Sequence, residues 1–216
     1  MNNNMPENAR SRREIRELRR LETLIDVVFA LVIVMITVDL PVPENSNDAL
    51  SFVLGRLEEI ALSALGIAVL LIYWFQSNLL LGTLSHTDGK HATLAIFQVF
   101  MVLIYMLCVS YGVSAGNTTL AMVAQSVSAA LVGFLAAAAW WYASHNRRLL
   151  DSEISDSEAL ALRLRVLAEP LTAVLTIVVA FLGPWLWEVA WFTYPVFAFI
   201  LRRMGVAEAL TKEKPG

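Results

Sequence analysis

The chain has 216 residues, 57% of them hydrophobic and 16% charged, with a formal net charge of −3 at pH 7. A single soluble core of this length does not need so much apolar side chain, so the composition predicts a membrane-embedded protein and excludes an ordinary soluble domain. The net charge by itself says nothing about nucleic-acid or acidic partners, because long uncharged runs alternate with short charged segments, and we predict no nucleic-acid partner. Cys108 is the only cysteine, which excludes an intrachain disulfide and a cysteine-based metal site.

The N-terminal region predicts a cytoplasmic tail, 1–18, followed by a first membrane span over 21–40. The tail is rich in arginine, and the apolar run after it contains Asp26 and no small-residue cleavage site, which favours a retained span over a signal peptide. A helix of about 20 residues is long enough to cross the ~30 Å hydrocarbon core. Pro41 and Pro43 are expected to end this helix.

Three further spans are predicted over 60–82, 92–114 and 119–143, because these runs are uncharged and long enough to cross a bilayer. Gly112 and Gly116 are expected to supply the turn between the third and fourth spans. An aromatic cluster, Trp-Trp-Tyr, closes the fourth span at the membrane interface.

The polar stretch 145–169 contains a capping box, Ser155 to Glu158, which predicts a short helix leading into a fifth span. In the apolar run that follows, the pair Gly183-Pro184 interrupts the pattern. This interruption fits either one broken helix or two short spans, over 166–183 and 185–202.

The distribution of Lys and Arg favours the second arrangement, with both termini in the cytoplasm. With six spans, Arg56 is the only one of the 16 Lys and Arg residues that lies outside, whereas five spans would also put the C-terminal cations outside. The sequence therefore predicts an all-α membrane protein with a six-helix domain, 19–203, and a cytoplasmic C-terminal tail, 204–216.

No motif indicates an enzyme. The three histidines, His86, His91 and His145, lie in predicted loops or at helix ends and lack the spacing of a zinc helix or an acid–base pair. The chain also has no glycine-rich phosphate loop and no nucleophile elbow. We therefore predict no catalytic residue, no metal site and no cofactor.

Asp26 is the chemical exception in the first span. A charged side chain at the bilayer centre costs about 2.5–3.5 kcal/mol, and less near the interface, where Asp26 is expected. One interpretation is that Asp26 pairs with Arg19 or Arg20 near the positive end of the helix dipole. The other is that Asp26 belongs to a buried polar network that orients the helix.

A stripe of large apolar side chains follows a different face of this span. At 100° per residue, Met35 lies about 40° and Val38 about 20° from Leu31, whereas Asp26 lies about 140° away. A stripe of this kind is ordinarily a contact with the protein core or with lipid, so by itself it does not indicate a pore.

The segment from Arg20 to Ala30, RLETLIDVVFA, resembles the first-helix signature of the transmembrane protein 175 family, Arg-x-x-x-Phe-Ser-Asp followed by an apolar pore stretch. Arg20 and Asp26 match at the right spacing, while Leu24 and Ile25 replace the Phe and Ser. The family comprises endolysosomal potassium channels and bacterial relatives, and the length and six-span layout resemble those of the bacterial type.

The resemblance implies a homotetramer whose first helices surround a pore narrowed by bulky apolar residues. By position, Leu31 is the first constriction, with Met35 and Val38 above it and Asp39 at the outer mouth, near the acidic Glu44 and Asp48. The motif that anchors the helix comprises Arg20, Leu24, Ile25 and Asp26.

Two positions depart from the family pattern. Members often carry a threonine one turn after the first constriction, where this chain has Val34, and a valine cannot replace part of an ion's hydration shell. Many members also carry a histidine pair where this chain has Ser77 and Asn78. Selectivity and gating are therefore expected to differ from those of the family.

We predict a passive monovalent cation channel, with potassium as the permeant ion, in the cell membrane, specifically a bacterial inner membrane. One alternative is a small secondary transporter or proton-coupled carrier that uses Asp26. A further alternative is a non-conducting membrane scaffold that binds a partner through 145–169.

Overall fold

The computed structural model describes the backbone of residues 7–38, 49–116 and 118–212, and nearly all of it is helical. Within these ranges the extended structure is limited to an isolated antiparallel bridge between Leu84 and Leu150. The predicted all-α class is therefore confirmed. The helices are α1 (Glu7–Val38), α2 (Ala49–Gly55), α3 (Leu57–Leu81), α4 (Gly89–Ala115), α5 (Thr119–Ser144), α6 (Asp156–Arg165), α7 (Ala168–Val179), α8 (Pro184–Ala190) and α9 (Tyr194–Lys212).

Five stretches of the described chain are long and apolar enough to cross a membrane. Four of them overlap the first four predicted spans, and the fifth comprises α6, α7 and a short 3-10 turn. The segment predicted as a sixth span, 185–202, is divided between α8, a second 3-10 turn and the first part of α9, and it is not among the five. The five stretches are Arg12–Val38, Leu57–Leu81, Gly89–Ala115, Thr119–Arg147 and Asp156–Leu182.

Helix α1 begins well before the membrane span that the sequence predicts. It has 32 residues, or about 48 Å at 1.5 Å per residue, which exceeds the ~30 Å of the hydrocarbon core. Its N-terminal part is charged and free of Gly and Pro, and the Arg13 guanidinium pairs with Glu17 at 2.7 Å across one turn. Part of the predicted tail is therefore a continuation of the helix. Residues 39–48, including both prolines expected to end it, lie outside the described residues.

Two predicted helix boundaries, the start of α6 and the end of α4, agree with the sequence. The Ser155 hydroxyl accepts a hydrogen bond from the Glu158 N–H at 3.2 Å, so the predicted capping box begins α6. Gly116 ends α4 in the left-handed region, at φ 68°. The expectation for Gly112 was wrong, because Gly112 lies inside α4, where a side chain would contact Leu62 and Gln125.

Asp88, which directly precedes α4, joins the loop before that helix to the end of α5 through its side chain. This carboxylate accepts hydrogen bonds from the His91 N–H at 2.9 Å and from the Tyr142 hydroxyl at 2.6 Å. Burial by itself raises the pKa of Asp88, but these hydrogen bonds outweigh it and lower the pKa below its usual value. The ionised carboxylate therefore holds the two helix ends together.

The C-terminal part of the chain folds back on itself at the predicted break. Gly183 has a φ of 123°, which favours glycine, and Pro184 then begins α8. The Trp187 indole N–H, on α8, and the Thr176 hydroxyl, on α7, both donate to the Ser126 hydroxyl, at 2.8 and 2.9 Å. The chain therefore runs out along α6 and α7 and returns along α8 and α9.

Close backbone approach holds α5 against α7. A Cβ atom at Gly133 would lie 2.7 Å from Cδ of Pro170, a distance that real Cβ contacts do not reach. Membrane helices pack through small residues of this kind, because lipid supplies no hydrophobic force between them. Gly133 is thus required for the contact between these two helices.

We expect Gly133→Ala to lower the free energy of unfolding by about 1–3 kcal/mol, because the rigid Pro170 ring cannot move away. Gly89→Ala is the matched control, since no atom lies within 4 Å of a Cβ built there. Thermal unfolding of the detergent-purified protein measures both. Equal stability of the two variants would contradict the close packing.

Candidate ion pathway along the first helix

Helix α1 has two apolar faces. One packs against α3 and α4 through side chains three or four residues apart, namely Leu18, Leu21, Ile25, Phe29, Val32 and Ile36. The opposite face is exposed within the subunit and carries Leu24, Val27, Leu31, Val34 and Val38. A helix that buries one apolar face and exposes another requires a second apolar neighbour, which is lipid or another protein chain.

The residues predicted as the constriction all lie on the exposed face. Leu31 is 51% exposed, whereas its neighbour Val32 is fully buried at 0%. Met35 and Val38 are exposed at the same side, and Val34, the predicted selectivity position, lies one turn before Val38 and is 56% exposed. These side chains are therefore available to line a pore or to contact another chain.

Asp26 is held by helix α3. The Trp74 indole N–H donates to the Asp26 carboxylate at 2.9 Å. With its amide nitrogen turned toward Asp26, Asn78 also donates to this carboxylate at 3.2 Å, and its oxygen accepts from Trp74 at 3.0 Å. The polar network that the sequence offered as one interpretation of Asp26 therefore has two members on α3, although Asp26 itself is exposed within the subunit and not buried.

Neither of the alternative partners of Asp26 is paired with it. Among the described residues, neither Arg19 nor Arg20 forms a salt bridge with it. In the continuous register of α1, Arg20 lies about 20° from Leu31 and about 17 Å before it, whereas Arg19 lies about 120° away. Arg20 is exposed, so this motif residue shares the face of Leu31 rather than that of Asp26.

The remaining predicted positions divide between core and surface. Ile25 is 2% exposed and belongs to the core, while Leu24 is exposed on the Leu31 face. Ser77 is buried and accepts a hydrogen bond from the Gln98 amide at 3.0 Å, so it joins α3 to α4. Asp39 lies outside the described residues, as do Glu44 and Asp48.

A buried carboxylate that the sequence did not reveal lies in the first turn of α7. Glu169 is 5% exposed, and it accepts hydrogen bonds from the Gln76 amide and the Tyr194 hydroxyl. From sequence it belonged to a polar stretch, and its partners are on helices far away along the chain. No group of three or more potential metal ligands occurs among the residues that the structure describes.

The fold and the exposed face of α1 define a polytopic helical membrane protein. Residues 20–106 match the sequence model of the family described as "Endosomal/lysosomal potassium channel TMEM175". The fold is similar to the crystal structure of a threonine-to-alanine variant of the potassium channel MtTMEM175 in complex with a Nanobody-MBP fusion protein. The TM-score is 0.59 at 19% sequence identity, covering 90% of this chain and 94% of that chain. No curated protein matches the sequence.

The resemblance to the TMEM175 family that the first-helix signature predicts is confirmed over residues 20–106. The matched residues begin at Arg20, the first residue of that signature, and include the rest of α1, α2, α3 and most of α4. At 19% identity, the likeness to the solved structure concerns the fold, and it extends over the other helices as well.

We expect the hydrogen bond between Asp26 and Trp74 to contribute to stability, and a double-mutant cycle measures it. Asp26→Asn and Trp74→Phe should be coupled by about 0.6–1.7 kcal/mol, the range found for hydrogen bonds between membrane helices. Thermal unfolding of the two single variants and the double variant gives this coupling energy. A control cycle combines Asp26→Asn with Trp185→Phe, a change at an exposed position on α8. The effects of these two changes should be additive. Additivity in both cycles would show that the bond to Asp26 does not orient α1.

Proposed function

We propose that the protein is a passive, potassium-permeable cation channel formed by four copies of the chain, with the exposed face of α1 lining the pore. That face is the observation that carries the proposal, because it is apolar over four turns and uncovered by its own subunit. The names of the matching family and of the structurally similar protein both describe potassium channels, which supports the same function.

In this proposal, Leu31 forms the first constriction and Met35 and Val38 form the wall above it. Four leucine side chains around one axis make a hydrophobic neck that hinders wetting, so conduction requires a small dilation. Val34 lies one turn after Leu31 and offers no hydroxyl to a partly dehydrated ion. Discrimination between potassium and sodium therefore depends on the width of the neck, which is a weaker criterion than direct coordination.

The topology that we propose has six spans, with both termini in the cytoplasm of a bacterial cell. The antiparallel return of α8 and α9 supports it: a Cβ atom at Gly205, on α9, would lie 2.8 Å from Cα of Ala161, on α6. A chain that crosses the membrane through α6 and α7 is thereby brought back to the side from which it came. The described cations Arg202 and Arg203 then lie on the cytoplasmic side.

The two alternative functions differ in how far the geometry bears on them. A proton-coupled carrier would need Asp26 to change partners, yet this carboxylate is engaged by Trp74 and joins α1 to α3. A scaffold that binds through 145–169 would need that stretch at the surface, and its first half, including Arg148 and Glu153, is largely exposed, so ion flux has to distinguish a scaffold from a channel. The flux experiments below distinguish both alternatives from a channel.

We expect Leu31→Ala to raise potassium flux and Leu31→Asn to lower the preference for potassium over sodium. A barrier lowered by about 1.4 kcal/mol would raise the flux tenfold. Flux and reversal potentials in proteoliposomes under opposed potassium and sodium gradients measure both effects. Leu120→Ala, at an exposed leucine of α5, is the control and should leave the flux unchanged. Unaltered flux in both Leu31 variants would refute the assigned constriction, and flux that saturates and stops in Asp26→Asn would indicate a carrier.

Arg20 offers a second test, because it shares the face of Leu31 and its neighbour Arg19 does not. Four Arg20 side chains near the axis would lower the cation concentration at the inner mouth, so Arg20→Gln should raise the current from the cytoplasmic side, more at low salt than at high salt. Arg19→Gln is the matched control and should have little effect. Current recordings at two salt concentrations check this. A loss of thermal stability with unchanged current would instead assign Arg20 to anchoring the helix.

A further inference from the structure

A small cavity lies where α1, α3, α4 and α5 meet. Ile25 closes it on the α1 side, and the rest of its wall comes from the other three helices and from Leu84. About 20 Å³ of this cavity is open to the centre of a water molecule. One bound water requires ~10–15 Å³ by the same measure, so the cavity has the size of a site for a single water.

Polar side chains from three helices line this otherwise apolar space. Ser77 lies on α3, His91 and Gln98 lie on α4, and Trp140 lies on α5. All four side chains are deeply buried, since Gln98, which is the most exposed of them, is only 5% exposed. Buried polar groups are nearly always hydrogen-bonded, because they have lost their contacts with bulk water.

The Trp140 indole has the clearest need for a further partner. Trp140 is 1% exposed, and its N–H has no hydrogen-bond partner among the described residues. An indole N–H can only donate, so the missing partner has to be an acceptor. A molecule in the cavity that accepts this hydrogen bond would remove the cost of burying the donor.

The other three side chains are paired within the protein but keep hydrogen-bonding capacity. The Gln98 amide N–H donates to the Ser77 hydroxyl at 3.0 Å, so the Gln98 carbonyl oxygen can still accept and the Ser77 O–H can still donate. The Thr87 hydroxyl is hydrogen-bonded to Nδ1 of His91 at 2.8 Å, which leaves Nε2 of the ring. Water suits this mixed set, because one molecule both accepts and donates hydrogen bonds.

We propose that this cavity binds one structural water molecule, which accepts a hydrogen bond from the Trp140 indole N–H and donates one to the Gln98 carbonyl oxygen. The water joins α5 to α4 and, through the bond between Gln98 and Ser77, to α3. Such polar bridges are important in a bilayer, because lipid supplies no hydrophobic force between helices. The site lies behind Ile25, on the buried face of α1, and is therefore separate from the proposed pore.

The test measures the transfer of magnetisation from water to tryptophan indole N–H groups, by solid-state NMR on the full-length protein in lipid bilayers. Trp187 is the matched control, because its indole is equally buried but donates to the Ser126 hydroxyl. We expect transfer to Trp140 to build up at least twofold faster than transfer to Trp187. Trp140→Phe and Trp187→Phe assign the two signals by their loss. Equal build-up rates would overturn the proposal.

Gln98→Met keeps the length of the side chain and removes the acceptor, so transfer to Trp140 should fall at least twofold while transfer to Trp187 stays the same. Thr93→Val, at an exposed position on the same helix, should change neither rate. Thermal unfolding shows that each variant is folded, and the selective fall in one signal identifies Trp140 even if Trp140→Phe does not fold. Unchanged transfer in Gln98→Met would overturn the proposed bridge between α4 and α5.

Discussion

The packing of α1 is the constraint on which the rest of the structure depends. Phe29, Val32 and Ile36 anchor one face of this helix in the core, and the positions between them expose a second apolar face. In lipid, an apolar face by itself does not draw helices together, so close contacts and hydrogen bonds have to determine which face points inward. The bond from Trp74 to Asp26 is such a contact, because it fixes the rotation of α1 on α3.

Helix α3 joins the helix that carries the exposed face to the rest of the subunit. Trp74 lies against α1 through Asp26, while Ile72 and Tyr73, the residues just before it, line an internal cavity of about 420 Å³ between α3 and the segment from α7 to α9. The Tyr73 hydroxyl also donates to the Ala129 carbonyl of α5 at 2.8 Å. One turn of α3 therefore contacts α1, α5 and the cavity.

The elements that the sequence predicts well are those encoded by neighbouring residues. The capping box at Ser155 and the break at Gly183-Pro184 are local, since each acts on the backbone within one turn. Contacts between distant residues could not be predicted in this way: 48 residues separate Trp74 from Asp26, and Glu169 looked like part of a polar loop. Helix α1 begins before the predicted span for another reason, because charge marks where a helix leaves the membrane and not where the helix ends.

The two faces of α1 depend on the spacing of its residues along the helix. Inserting one residue between Asp26 and Leu31 would rotate everything after it by about 100°, turning buried side chains outward and exposed ones inward. Exchanging one large apolar residue for another leaves both faces intact, and Leu24 in place of the Phe of the family signature is such an exchange. A one-residue insertion or deletion, in contrast, would displace every later side chain of both faces at once.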